Sequence, residues 1–127
     1  MDIYVTNNPL VRERAGLNGI TDSLVFIDSG FIDVLTAARD FIHKGHALRS
    51  HPLSGSVKPG ETPYKTVALS KDTGSLDAGS LRIIEECILT ARKFGLKPGC
   101  REENARERVV KDYQLVDYTL IFGVISK

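Results

Sequence analysis

The stretch SLVFIDSGFIDVLTAARDFIHKG, residues 23–45, decides how the rest of the chain is read. Its first part sets Leu24, Val25, Phe26 and Ile27 in an unbroken apolar run, the pattern of a strand covered on both faces, and Asp28, Ser29 and Gly30 stop it. Its second part changes period. Phe31, Val34, Leu35, Ala38 and Ile42 recur at helical spacing, which predicts a helix over residues 31–44. Gly45 stands where a left-handed cap residue belongs, and His43 and Lys44 suit the negative end of the helix dipole. Strand, polar turn and amphipathic helix in one run is the unit from which α/β folds are assembled.

The flanks repeat that alternation. IYVTNN (3–8) is β-branched and aromatic, then breaks at Asn7, Asn8 and Pro9; LVRERAG (10–16) reads as a short helix ended by Gly16. HALRSH (46–51) is a short strand candidate and KTVALS (65–70) a better one. A turn at 71–74 leads to a helix over about 77–94, with Leu81, Ile84, Cys87, Ile88 and Ala91 on one stripe and Arg82, Glu85, Glu86, Arg92 and Lys93 facing away. A third helix is expected from about 101 to 114. For LVDYTLIFGVI (115–125) periodicity leaves strand and helix open, and helix is preferred. The order predicts a single α/β domain over 1–127, a three-layer sandwich with a small, largely parallel sheet flanked by helices.

Composition narrows the function classes. A chain of 127 residues that is 42% hydrophobic is long enough for one proper core. Seventeen basic and sixteen acidic residues leave a formal charge of +1, so no global field draws the protein to nucleic acid or anionic lipid. Arg101, Arg106, Arg108 and Lys111 are offset by Glu102, Glu103 and Glu107, as on a solvated helix face. The start MDIYVTNN has no basic n-region followed by a long apolar run, no window approaches the roughly 18 apolar residues of a span, and a cytoplasmic location is expected. Cys87 reads as core and Cys100 as an exposed loop thiol; two cysteines so far apart make neither a CxxC pair nor a zinc site.

In open α/β sheets ligands bind beyond the carboxyl ends of the strands. Here that rule gathers Asn7 and Asn8 after the first strand, Asp28 and Ser29 after the second, and His51 to Lys58 after the third. The last belongs to RSHPLSGSVKPGETPYK (49–65), in which Ser54, Gly55 and Ser56 allow successive amides to face one concavity and Lys58 adds a charge. An anion nest is one reading; a crossover stiffened by Pro52, Pro59 and Pro63 is the other. The loop lacks the GxxxxGK[ST] pattern. A metal site from His43, His46 and His51 is disfavoured because Gly45 breaks the helical register, and a Ser-His hydrolase because the GxSxG elbow is absent. Asn7 and Asn8 suit a turn, Asp28 a helix cap, and Tyr64 a ring beside the sheet with its hydroxyl at the surface.

The blocks HPLSGSVKPGETPYK, FIHKGHALRS and VTNNPLV together resemble the GrdX family, over about residues 3–120. The resemblance implies a small protein encoded beside the glycine, sarcosine and betaine reductase components of amino-acid-fermenting anaerobes, accessory to a selenium-dependent pathway that yields acetyl phosphate. It implies no catalytic residue and no cofactor. The expectation is therefore an accessory or regulatory protein of the glycine reductase system, with reductase components as partners and a small anion such as phosphate or an acyl phosphate at the 51–58 loop. The alternatives are a small enzyme acting on an acyl phosphate or amino acid with His51 as acid or base, and an interaction module docking on a reductase subunit.

Overall fold

The structure, a computed structural model, describes residues 2–53, 63–93 and 107–122. Its centre is β1, Asp2–Thr6, which has a strand on each side and whose Val5 is fully buried. Asn8 ends the turn after β1 by accepting from the Leu10 amide at 3.0 Å, and Pro9 opens the short helix α1, Pro9–Glu13. A single 3₁₀ turn at Thr21–Ser23 delivers β2, Leu24–Phe26, to one side of β1. The helix α2, Phe31–His43, follows; the Asp33 carboxylate accepts from the Gly30 amide at 3.2 Å and from the Ser29 hydroxyl at 2.7 Å, closing its first turn. On the other side of β1 lies β3, Thr66–Ser70, followed by α3, Ala78–Lys93, and α4, Glu107–Phe122.

The three strands stand in the order β2-β1-β3. The β1–β2 pair is parallel, with Val5 opposite Val25, but β3 runs antiparallel to β1, with Val67 opposite Val5 and Thr66 opposite Thr6. The expected largely parallel sheet is thus corrected to a mixed one. The reason lies in residues 46–51. HALRSH forms only an isolated bridge, Leu48 to Leu69, on the outer edge of β3, although Arg49 donates to the Ala68 carbonyl at 2.8 Å and Ser70 to that of Ala47 at 2.7 Å. It runs alongside β1 in direction, and the chain then returns as β3 between the two. An alternating apolar pattern carries no information on which way a strand points.

Alternation within the strands sends side chains to opposite faces. Val5, Val67 and Leu69 face α2 and α3, where Ile32, Leu35, Ile42, Ile84 and Ile88 complete the larger core. Tyr4 and Leu24 face α1 and α4, packing with Val11, Ala15, Ile20, Tyr118 and Phe122 in a smaller one. Helices accordingly cover both faces, as an α/β reading requires. Gly45 has φ +106°, and a Cβ there would lie 2.4 Å from the Gly74 carbonyl oxygen, so both the left-handed cap and the tight approach of the 71–77 segment demand glycine. Residues 115–122 continue α4 without interruption, which resolves the open choice in favour of helix. The expected helix start near 101 lies outside the described residues.

Candidate functional site

Because β3 is antiparallel, its first residues lie at the carboxyl end of β1. The rim there collects the end of β1, the turn after β2 and the segment entering β3. Asn7 ties them together. Its carboxamide donates to the Ser29 carbonyl at 3.0 Å and to the Pro63 carbonyl at 2.7 Å, its Oδ1 accepts from the Lys65 amide at 2.9 Å, and its own amide donates to the Lys65 carbonyl. Every donor and acceptor of that side chain is engaged, so Asn7 is a strut of the rim.

Asn8 does the same for α4. Its carboxamide donates to the Gln114 carbonyl at 2.9 Å and to Asp117 Oδ2 at 3.0 Å. Asp117 is almost fully buried, and its carboxylate also accepts from the Thr66 amide at 3.0 Å and the Thr66 hydroxyl at 2.6 Å. The Thr66 hydroxyl has one hydrogen, and it goes to the carboxylate. The 2.7 Å contact between Thr6 and Thr66 must then have Thr6 donating, while Thr6 accepts from the Asn8 amide at 3.0 Å. The chain of donors runs one way and ends on the Asp117 carboxylate. Burial pushes the Asp117 pKa up, opposed by the bonds from Thr66 and Asn8 and by the charge of Lys65. Gln114 adds a bond from its side chain to the Tyr64 hydroxyl at 3.1 Å, so α4 braces both ends of the rim.

Lys65 is the unusual member. Only 7% of it is exposed, and it shares a strand face with Val67 and Leu69, the face that carries the larger core. Burial lowers its pKa, with the negative charge of Asp117 the larger of the influences acting in the opposite sense. The ion pairs among the described residues are Arg39 with Glu85 and Arg49 with Asp2, and none of the described residues places a counter-ion in contact with the Lys65 amine. Cys87, on α3, is itself buried, and desolvation pushes its thiol up to about 11, which makes it a poor nucleophile.

The residues expected at this rim are distributed as follows. Asn7 and Ser29 are in direct contact, as above. Ser29 also gives its hydroxyl to Asp33, and Asp28 is exposed at the end of β2. His51 is exposed; its Nδ1 accepts from the Leu53 amide at 3.1 Å, which leaves the neutral ring's proton on Nε2. Ser54, Gly55, Ser56 and Lys58 lie outside the described residues. His46 is nearly buried, with Nδ1 2.7 Å from the Ser70 carbonyl, so that nitrogen carries a proton.

Lys65 and Asp117 were not among the expected site residues. Each had a sequence signal: Lys65 precedes a strand in register with Val67 and Leu69, and Asp117 is a lone acid inside the apolar run LVDYTLIF. An ionisable residue at a core-facing position is the pattern that marks both.

A family model described as GrdX-like protein matches residues 3–126 of the chain. No curated protein and no solved structure matches it.

Proposed function

The chain belongs to the GrdX family, and on that premise we propose that it is an accessory protein of a glycine reductase-related system that binds a small anion at the rim formed by the end of β1 and the start of β3. The observation that carries this reading is Lys65, a cation withdrawn from water with no contacting counter-ion among the described residues. Burying an unpaired charge is costly, and an anionic ligand would offset that cost. Phosphate, an acyl phosphate or a carboxylate each supplies the needed charge. His51 follows the segment bridged to β3 at Leu48 and Lys65 immediately precedes β3, so both stand near this rim.

Calorimetric titration of phosphate, acetyl phosphate and glycine into the wild type and Lys65→Met tests the proposal. Binding of a phosphate-bearing ligand that weakens about tenfold or more in the variant supports it, since charge-assisted hydrogen bonds are worth about 1.5–3 kcal/mol. No heat from any of the three in the wild type sinks it.

A second reading, docking on a reductase subunit, draws on a different observation. Leu115, Val116 and Leu120 lie on the outer side of α4 at 45%, 38% and 45% exposure. Co-purification with the reductase that survives Lys65→Met but is lost in Leu120→Glu favours docking through that helix.

A further inference from the structure

We propose that the outer edge of β2 is a docking strip for a partner polypeptide, which pairs with it as a fourth strand: an extended, largely apolar segment with a basic residue at each end. The inference uses the edge of the sheet and does not depend on an anion at the rim.

The hydrogen-bond phase of the sheet leads there. β2 is the outermost strand on its side of β1. The Ile27 amide donates to the Thr6 carbonyl at 2.7 Å, and Thr6 stands opposite Phe26. In a parallel ladder successive residues turn their backbone groups alternately to one side and the other. Val25 therefore gives its amide and carbonyl to β1, and Leu24 and Phe26 turn theirs outward, in a row along the edge. No other described group donates to them or accepts from them. Exposure points the same way. On the far side of β1, residues 46–51 run along the outer edge of β3, and Thr66, Val67, Ala68 and Leu69 are at most 6% exposed. Leu24, Val25 and Phe26 are all partly exposed, although each is apolar. β2 itself carries neither a charge nor a proline, the residues that ordinarily protect an open edge.

Charge identifies the occupant. Asp22, before β2, and Asp28, after it, are both exposed. Antiparallel pairing of two copies would have to bond Leu24 of each to Phe26 of the other, and the same register sets Asp22 of each against Asp28 of the other. Like charges placed opposite each other oppose that pairing at both ends. The same two acids favour a foreign segment with Lys or Arg near each end, about 20 Å apart for six residues at about 3.3 Å each. Arg12 stacks its guanidinium 4.1 Å over the Phe26 ring, so its charge lies on the ring's face and not in the hydrogen-bonding plane of the strands. A strand added here gains main-chain bonds from Leu24 and Phe26 and takes its selectivity from the flanking acids.

Amide hydrogen exchange read by NMR on the unmodified chain tests the proposal. In the free protein Leu24 and Phe26 should exchange about tenfold or more faster than Val25 and Ile27, whose amides bond to β1. The probe is a seven-residue peptide of alternating threonine and valine, blocked at both termini, with lysine as its first and last residue. At high peptide concentration Leu24 and Phe26 should slow about tenfold while Val25 keeps its rate. The same peptide with glutamate at both ends should bind about fivefold or more weaker at low ionic strength, and the gap should close in about 0.5 M salt. Combining Asp22→Lys with Asp28→Lys should invert the preference. Leu24 and Phe26 already as slow as Val25 in the free, dilute protein would show the edge covered and overturn the proposal. Slowing that depends on protein concentration without peptide overturns it in favour of a second copy. No slowing with the lysine-ended peptide, or equal binding of the two peptides, overturns it as well.

Discussion

On one face of β1 and β3, Val5, Val67 and Leu69 meet α2 and α3 through side chains that carry no polar atoms; on the other, Thr6 and Thr66 meet α4 through the Asp117 carboxylate. The first contact is non-directional and scales with the apolar area removed from water. The second is directional. Three donors must converge on one carboxylate, so it fixes the rotation and register of α4 at the price of a buried charge. The comparison teaches where each face keeps its stability and where it keeps its chemistry. The apolar face holds the molecule together; the polar end of the sheet, where Lys65 and Asp117 come in from different elements, is where the proposed anion would be recognised.

Substitutions can break this contrast in order of size. The largest loss is expected for Leu35→Ala, at a fully buried position of α2, about 2–5 kcal/mol in urea unfolding. If the loss is under about 1 kcal/mol, the α2–α3 side is not the main core. Asp117→Asn comes next. It sets an amide against the Thr66 or Asn8 donors, and a loss of about 1–3 kcal/mol is expected, with hydrogen exchange showing α4 opening ahead of α2 and α3.

Lys65→Met should act in the opposite direction, raising stability near neutral pH by about 1 kcal/mol, because it removes a desolvated charge and keeps the buried stem. The sign of its pH dependence follows from a folded-state pKa below the ordinary lysine value. The ammonium is penalised at every pH below that folded pKa, and the penalty disappears as pH rises through it toward 10.5. The advantage of methionine should therefore shrink in alkali; a constant advantage across that range would show that packing and not charge is responsible. Gaining stability while losing ligand is the signature expected of a functional residue. The smallest effect belongs to Arg39→Ala, which removes the 2.8 Å pair with Glu85 between α2 and α3. Both side chains are partly exposed, and solvent screening should hold the loss to about 0.5 kcal/mol or less.

The legible parts of this protein were those encoded by local period. The apolar spacing of residues 31–44 gave α2 to within a residue of its observed end at His43, and Gly45 was identified from its place after the last periodic residue. The stripe from Leu81 to Ala91 located α3, and the turn residues after β1 and β2 were placed at the rim where Asn7 and Ser29 now touch. Illegible parts involved partners distant along the chain. The direction of β3 depends on how residues 46–51 lie against it, and neither segment alone carries that. Thr6, Thr66, Asn8 and Asp117 come from three elements, and their bonds span separations that no window of sequence covers.

Taken alone, the sequence determined which segments are strand and helix across most of the described chain, which of their faces are apolar, and the family to which the chain belongs. The first two follow from backbone geometry and side-chain alternation over a few residues, and the family from the likeness of the blocks HPLSGSVKPGETPYK, FIHKGHALRS and VTNNPLV. Only the tertiary structure decided that β3 runs against β1, that α4 docks through a buried carboxylate, and that a lysine before a strand ends beneath the surface without a contacting counter-ion among the described residues. Strand direction and burial are settled by which segments exclude water from one another, and that is a property of the assembled fold.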